Sequence, residues 1–146
     1  MTTLATCVHE AGHAVVANEL GMLLKLASVI RNGDTLGYVK LNSRVHTVTL
    51  AHNCTFAMAG RAAESVLLGS PGHITTHGGD LSGLEQCSLT AIESSYRAAK
   101  TIIRKRRADV LALTAQLAEH KVLSGAQVSR ILDKERSQWE KAKSEN

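Results

Sequence analysis

Apolar residues near the start of the chain recur every three or four positions, which is the spacing of a helix with one buried face. Thr2 or Thr3 is a suitable N-cap, and Gly21 is a suitable stop. The pattern therefore predicts a first helix that ends at about Leu20. Its core-facing positions are expected to be Leu4, Val8, Ala11, Val15 and Val16.

Two short β-prone runs follow this helix, over residues 26–31 and 36–41. Asn32-Gly33 lies between them, and this dipeptide favours the tight turn of a two-stranded hairpin. The chain is therefore expected to contain one small β-hairpin.

Helical periodicity returns from residue 45 or 46 to residue 68, and Gly69 closes this second helix. The turn-rich residues 70–79 predict a loop. Ser82 and Glu85 then have the spacing of a capping box, so a third helix is expected to start at residues 80–82. Its apolar pattern continues towards residue 121, either as one helix or with a break near Ser94-Ser95.

A second capping box, Ser124 with Gln127, predicts a final amphipathic helix that runs towards Trp139. Residues 141–146 should fray at its end. Long helical stretches beside a single hairpin predict a mainly α fold of the α+β class. The 146 residues contain no linker and no repeat, so residues 1–146 are expected to form a single domain.

The composition adds expectations about the core and the compartment. Aromatic residues make up only 3% of the chain, so small and branched aliphatic residues must fill the core. No run approaches the length of a membrane span, and no secretory signal is visible. Cys7, Cys54 and Cys87 are odd in number and widely spaced, which does not favour a disulfide framework. We therefore expect a cytoplasmic protein without a membrane span, whose cysteines are buried and reduced.

The net charge is +4, and the densest basic run is Arg104-Lys105-Arg106-Arg107. Such a run can bind nucleic acid, anionic lipid or an acidic partner. Only four aromatic residues are present, and they offer no visible platform for stacking bases. We interpret the run as the solvated face and shoulder of a long helix, and keep nucleic-acid binding as the weaker alternative.

The sequence His9-Glu10-Ala11-Gly12-His13 lies inside the first predicted helix. Two histidines four residues apart point the same way on a helix, so both imidazoles can reach one metal ion. The intervening Glu10 is then placed to act as general base on a metal-activated water. This pattern predicts a zinc peptidase, and its alternative is a surface helix with two incidental histidines.

A peptidase zinc ion normally has three protein ligands and one position for water. Spacing alone leaves the third ligand open among several acidic and histidine side chains. The candidates are Asp80, Glu85, Glu64, His73 and His77. Asp80 lies where a predicted loop enters a helix, which suits a carboxylate aimed at the ion. The glycine-rich surroundings of His73 and His77 argue against one shared helical face, so these two are candidates for substrate contacts.

The chain also resembles the peptidase domain of the FtsH family of ATP-dependent zinc metalloproteases. Five sequence blocks in the family's order carry the likeness, and they extend through nearly the whole sequence. The blocks are HEAGHAVVA at 9–17, LGY at 36–38, AGRAAE at 59–64, TT at 75–76 with GGDL at 78–81, and LSG at 123–125 with Val128. The resemblance implies a helical, zincin-like fold, and it makes Asp80 the third zinc ligand beside His9 and His13.

The resemblance further implies a zinc-dependent metalloendopeptidase with Glu10 as its catalytic base. Only eight residues precede His9, so we expect a compact peptidase domain that acts without ATP on unfolded peptides or proteins. A separate ATPase or a homo-oligomer is the expected partner. The family's substrate-holding segment is almost missing after Asp80. The alternative is therefore a zinc-binding adaptor or regulatory module with weak or no catalysis.

Two further side chains are candidates for supporting roles. Glu64 is expected either to orient a zinc-bound histidine or to tie helices together through Arg61. His77 is expected to lie near the site and to contact substrate.

Overall fold

The computed structural model describes residues 2–42, 49–70 and 84–145. Within these ranges the chain forms five helices and a three-stranded sheet, so the expected mainly α class is confirmed. In chain order the elements are α1 (Leu4–Glu19), β1 (Leu24–Ser28), β2 (Tyr38–Leu41), α2 (Leu50–Leu68), α3 (Leu89–Lys105), α4 (Arg107–His120), β3 (Val122–Ser124) and α5 (Gly125–Ser144).

Side-chain caps set the starts of most of these helices. Thr3 accepts a hydrogen bond from the Thr6 amide at the start of α1, and Ser124 with Gln127 forms the predicted capping box of α5. The Thr49 hydroxyl caps α2, which therefore begins at Leu50 and not at residue 45 or 46. Residues 45–48 lie outside the described residues.

The third predicted helix is replaced by a turn and two helices. Its expected start at residues 80–82 lies outside the described residues, and Glu85 lies in a turn before the Ser88 cap of α3. The break falls at Arg106 and not at Ser94-Ser95, which lie within α3. The predicted break is therefore wrong, and the described helix begins only at Leu89.

Arg106 causes this break because its side chain turns inward and binds another helix. It is only 7% exposed and donates to Asn18 at 2.8 Å and to Asp109 at 2.7 Å, while Lys105 pairs with Glu19 at 2.8 Å. These bonds fasten the end of α1 to the junction of α3 and α4. The basic run is consequently not one continuous basic surface.

The predicted hairpin is present as β1 and β2, with an isolated bridge between Asn32 and Thr35 at its turn. Both strands are shorter than expected. A third strand, β3, pairs antiparallel with β1 and gives the sheet order β2-β1-β3. Gly125 follows β3 directly, and a Cβ at this position would overlap the Leu24 carbonyl, so α5 starts in close contact with β1.

The core is built around α1, which is buried on all sides from Thr6 to Ala17. Small residues of α1 and α2 lie against each other, and branched side chains of α3, α4 and α5 complete the main core. The largest fully buried side chains include Ile103, Leu113, Leu117, Leu123 and Leu132. Across the described ranges, no helix combines the length and the apolar character that crossing a membrane requires.

A disulfide joins Cys54, on α2, to Cys87, in the segment that leads into α3. The expectation of reduced cysteines is therefore wrong for this pair. The two residues are 33 positions apart, and only the tertiary fold brings them together. Cys7 is a free, buried thiol, as expected, and burial raises the pKa of this thiol.

Candidate metal centre

The two histidines of the HEAGH sequence converge inside the protein. His9, Glu10 and His13 are 4%, 4% and 3% exposed, and all three lie on the buried part of α1. The Nε2 atoms of His9 and His13 are 3.1 Å apart, and their ring centroids are 4.8 Å apart. One turn of α1 thus brings the two ring nitrogens to a common point.

The opposite nitrogen of each imidazole ring is held by α2. His13 Nδ1 lies 2.8 Å from the carbonyl oxygen of Phe56, and a carbonyl only accepts, so this nitrogen donates. His9 Nδ1 lies 2.6 Å from Glu64 Oε1 and donates to that carboxylate. A neutral imidazole that donates from Nδ1 carries its electron pair on Nε2. Both rings are therefore turned with their Nε2 atoms towards each other.

Two electron pairs that face each other across 3.1 Å are stabilised by a shared cation, either a proton or a metal ion. Two nitrogens bound to one tetrahedral zinc ion at ordinary Zn–N distances are separated by about 3.4 Å. The observed separation is within a few tenths of an ångström of this value. The pair of histidines therefore fits a zinc ion, and each ring has the outer hydrogen bond typical of a ligating histidine.

Small residues in both helices make this arrangement sterically feasible. Gly60 of α2 lies directly under the His9 ring, and a Cβ at this position would overlap three of the ring atoms. Gly12 of α1 lies against Ala63 and the Ala59 carbonyl in the same way. The small residues of HEAGH and AGRAAE are thus the contact surface between α1 and α2.

Glu10 lies beside the segment that enters β2. A Cβ built on Gly37 would be 3.1 Å from Glu10 Oε1 and 2.8 Å from the Ser28 carbonyl. Only a residue without a side chain allows the backbone to pass this closely over the carboxylate. The LGY block therefore places the backbone at Gly37, just before β2, beside the predicted general base.

The candidates for the third ligand differ in burial and in their distance along the chain from the two histidines, and three of them lie outside the described residues. Glu64 is buried and binds His9 Nδ1, on the side of the ring away from Nε2, whereas Glu85 is exposed in the turn before α3. Asp80, His73 and His77 lie outside the described residues. Within the described ranges, no group of three or more histidine, cysteine, aspartate or glutamate side chains is arranged to hold a metal ion.

Sequence reasoning missed two elements of this centre. Phe56 contributes through its backbone carbonyl and packs its ring against His13, with a 5.0 Å centroid separation. A backbone carbonyl leaves no sequence signal. Gly60 carried a usable signal, because a glycine inside a helical pattern often marks a close approach.

A scan against models of protein families finds no match to this chain, and a search of curated proteins finds none either. The resemblance to the FtsH family therefore stays a prediction from the sequence blocks.

Proposed function

We propose that this protein is a zinc-dependent metalloendopeptidase of the FtsH type. The observation that carries the proposal is the convergence of His9 Nε2 and His13 Nε2 at 3.1 Å, with each Nδ1 held by α2. A pair of incidental surface histidines would be exposed and would have no reason to share this orientation.

In this proposal His9 and His13 are two of the three zinc ligands. Asp80 is the third, on the strength of the family resemblance alone. Glu64 accepts from His9 Nδ1, which fixes the ring and increases the electron density at Nε2. The Phe56 carbonyl does the same for His13. Zinc, when bound, would polarise the scissile carbonyl and lower the pKa of a neighbouring water molecule.

Glu10 is the general base. It follows His9 directly on α1, which is the place of the general base in the HExxH pattern. Glu10 accepts the proton of the attacking water and passes it to the leaving amine. The burial of Glu10 keeps bulk water away from this transfer, and the close backbone at Gly37 limits the positions that the carboxylate can adopt.

The proposed substrates are unfolded peptides or unfolded segments of proteins, because an extended chain is the form that can reach a base enclosed between helices and strands. Cleavage of such a substrate needs no ATP. A separate ATPase that unfolds proteins, or a homo-oligomer of this chain, is the proposed partner, and the cytoplasm is the proposed location.

The test is cleavage of an unfolded casein by the zinc-loaded protein, with and without a chelator. We expect chelator-sensitive cleavage by the wild type and none by Glu10→Gln, which should still bind zinc and fold. Glu119→Gln is the matched control, because it makes the same chemical change at an exposed carboxylate near the end of α4. Cleavage by Glu10→Gln at the wild-type rate would show that Glu10 is not the base.

A zinc-binding adaptor or regulatory module is the second candidate, and the burial of the site favours it. The three central side chains are at most 4% exposed, which restricts the approach of a peptide. The same experiment separates the candidates. Tight zinc binding without cleavage of any unfolded substrate supports the module.

A further inference from the structure

The disulfide between Cys54 and Cys87 lies in a small apolar cluster that is separate from the main core. Its buried members are Cys54, Ala57, Met58 and Leu84, and the half-buried Cys87, Ile92 and Tyr96 pack around them. This cluster is the apolar contact between the first turns of α2 and the start of α3. Ala59, one residue further along α2 than Met58, belongs to the main core.

The residues of α2 that contact the two histidine rings lie on opposite sides of the boundary between these clusters. Phe56, whose carbonyl accepts from His13, lies two residues after Cys54 in the half of α2 held by the small cluster. Gly60 and Glu64, which hold His9, lie in the half that packs into the main core. The disulfide therefore anchors the part of α2 that contacts His13, whereas the part that contacts His9 is held by the main core.

We propose that the Cys54–Cys87 bond is a redox-sensitive tether that fixes His13 and thereby raises the affinity of the site for a metal ion. The metal part of this inference rests on the proposed function. In the oxidised state the first turns of α2 are covalently linked to the start of α3. In the reduced state this covalent link is lost, and the apolar packing of the small cluster remains among the described residues.

The chemical step is thiol–disulfide exchange with a cellular dithiol. One thiolate of the dithiol attacks Cys87 Sγ, because Cys87 is half-buried while Cys54 is 1% exposed. The Cys54–Cys87 bond breaks, Cys54 leaves as a thiolate and takes up a proton, and a mixed disulfide forms at Cys87. The second thiolate of the dithiol then releases the Cys87 thiolate, which is protonated in turn. Two electrons and two protons pass to the protein, and the dithiol becomes a disulfide.

Cys7 provides an internal control for this chemistry. It is 1% exposed on α1 and forms no disulfide, so a reagent in solution has little access to its thiol. Mild oxidants and reductants should therefore leave Cys7 unchanged while Cys54 and Cys87 interconvert. A Cys7→Ser variant should respond to reduction as the wild type does.

The experiment compares the full chain purified without reductant, the same protein reduced with a phosphine and desalted, and the Cys54→Ser/Cys87→Ser variant. Thiols are counted in denaturant, the imidazole Nδ1–H signals are followed by NMR without metal, and zinc affinity is measured by competition with a chromophoric chelator. We expect one thiol before reduction and three after it. The reduced protein should lose the protected His13 signal, keep the His9 signal and bind zinc about 10- to 100-fold more weakly.

Reduced wild type keeps the test valid if the double serine variant does not fold. Three thiols in the unreduced protein, or an unchanged His13 signal together with unchanged zinc affinity after reduction, would overturn the tether. If the His13 signal responds to reduction but no form binds zinc, the tether to His13 stands while the metal centre and its redox control fail. If zinc binds with the same affinity in both redox states, the metal centre stands and its control by the disulfide is refuted.

Discussion

Replacing Gly60 by alanine should damage the metal site more than it destabilises the fold. Gly60 lies inside α2, and the three nearest atoms to an added Cβ all belong to the His9 ring. The ring would have to retreat by about 1 Å to restore ordinary van der Waals separation. Zn–N bonds of about 2.0–2.1 Å do not stretch by this amount, so the substitution in effect removes one ligand.

The two expected free-energy changes have different sizes. Alanine is favoured over glycine inside a helix by about 1 kcal/mol, which offsets part of the cost of overpacking a buried position, about 1–3 kcal/mol. The free energy of unfolding of the metal-free protein should therefore fall by no more than about 2 kcal/mol. The metal site should lose at least about 100-fold in zinc affinity, or about 2.7 kcal/mol, since outer-shell changes alone cost 10- to 100-fold.

Chelator competition gives the zinc affinity, and urea unfolding of the metal-free protein gives the stability. Gly69→Ala is the matched control, because it makes the same change at the end of the same helix, where no atom of the described residues lies within 4 Å of the new Cβ. Gly69 has a φ of 77°, so alanine there should cost about 1 kcal/mol of stability and leave zinc binding unchanged. Wild-type zinc affinity in Gly60→Ala would refute the placement of His9 as a ligand.

Two further predictions concern Glu64 and Glu19. Glu64→Gln should weaken zinc binding about 10- to 100-fold in calorimetry, because a neutral amide is a poorer acceptor for His9 Nδ1, and unchanged affinity would leave Glu64 a purely structural role. Lys105 and then Arg106 lower the pKa of Glu19, so the stability from these contacts is fully present above about pH 4.5 and is lost as the pH falls through the lowered folded-state pKa. Urea unfolding between pH 6 and 3 should therefore show a steeper loss of stability for the wild type than for Glu19→Gln. The difference in the free energy of unfolding should be less than about 1 kcal/mol. Parallel curves for the two proteins would contradict the assignment.

The parts of the fold that the sequence predicted are those with local causes. The Thr3 cap, the Ser124–Gln127 capping box and the Asn32-Gly33 turn each act within a few residues, and each is present at its predicted place. The break at Arg106 depends on bonds to Asn18, 88 residues earlier in the chain. Similarly, β3 is three residues long and exists because it pairs with β1, so its own residues carry almost no pattern.

The candidate site divides in the same way. Helical spacing of four predicted that His9 and His13 would face each other, and the structure places their Nε2 atoms 3.1 Å apart. Whether the pair holds a metal ion stays a prediction. The cysteine prediction failed for Cys54 and Cys87, because an odd total and wide spacing describe the chain and not the distances in the fold.

The contact between α1 and α2 explains why the HEAGH and AGRAAE blocks carry their particular residues. Gly60 makes room for the His9 ring, and Glu64, one turn later on α2, reaches the Nδ1 of the same ring. Gly12, one turn after His9 on α1, meets Ala63 and the Ala59 carbonyl. A larger residue at either glycine would move the helices or the histidine. Close helix packing and histidine orientation are thus one geometric requirement, and a chain that keeps both blocks keeps the geometry that a metal ion would need.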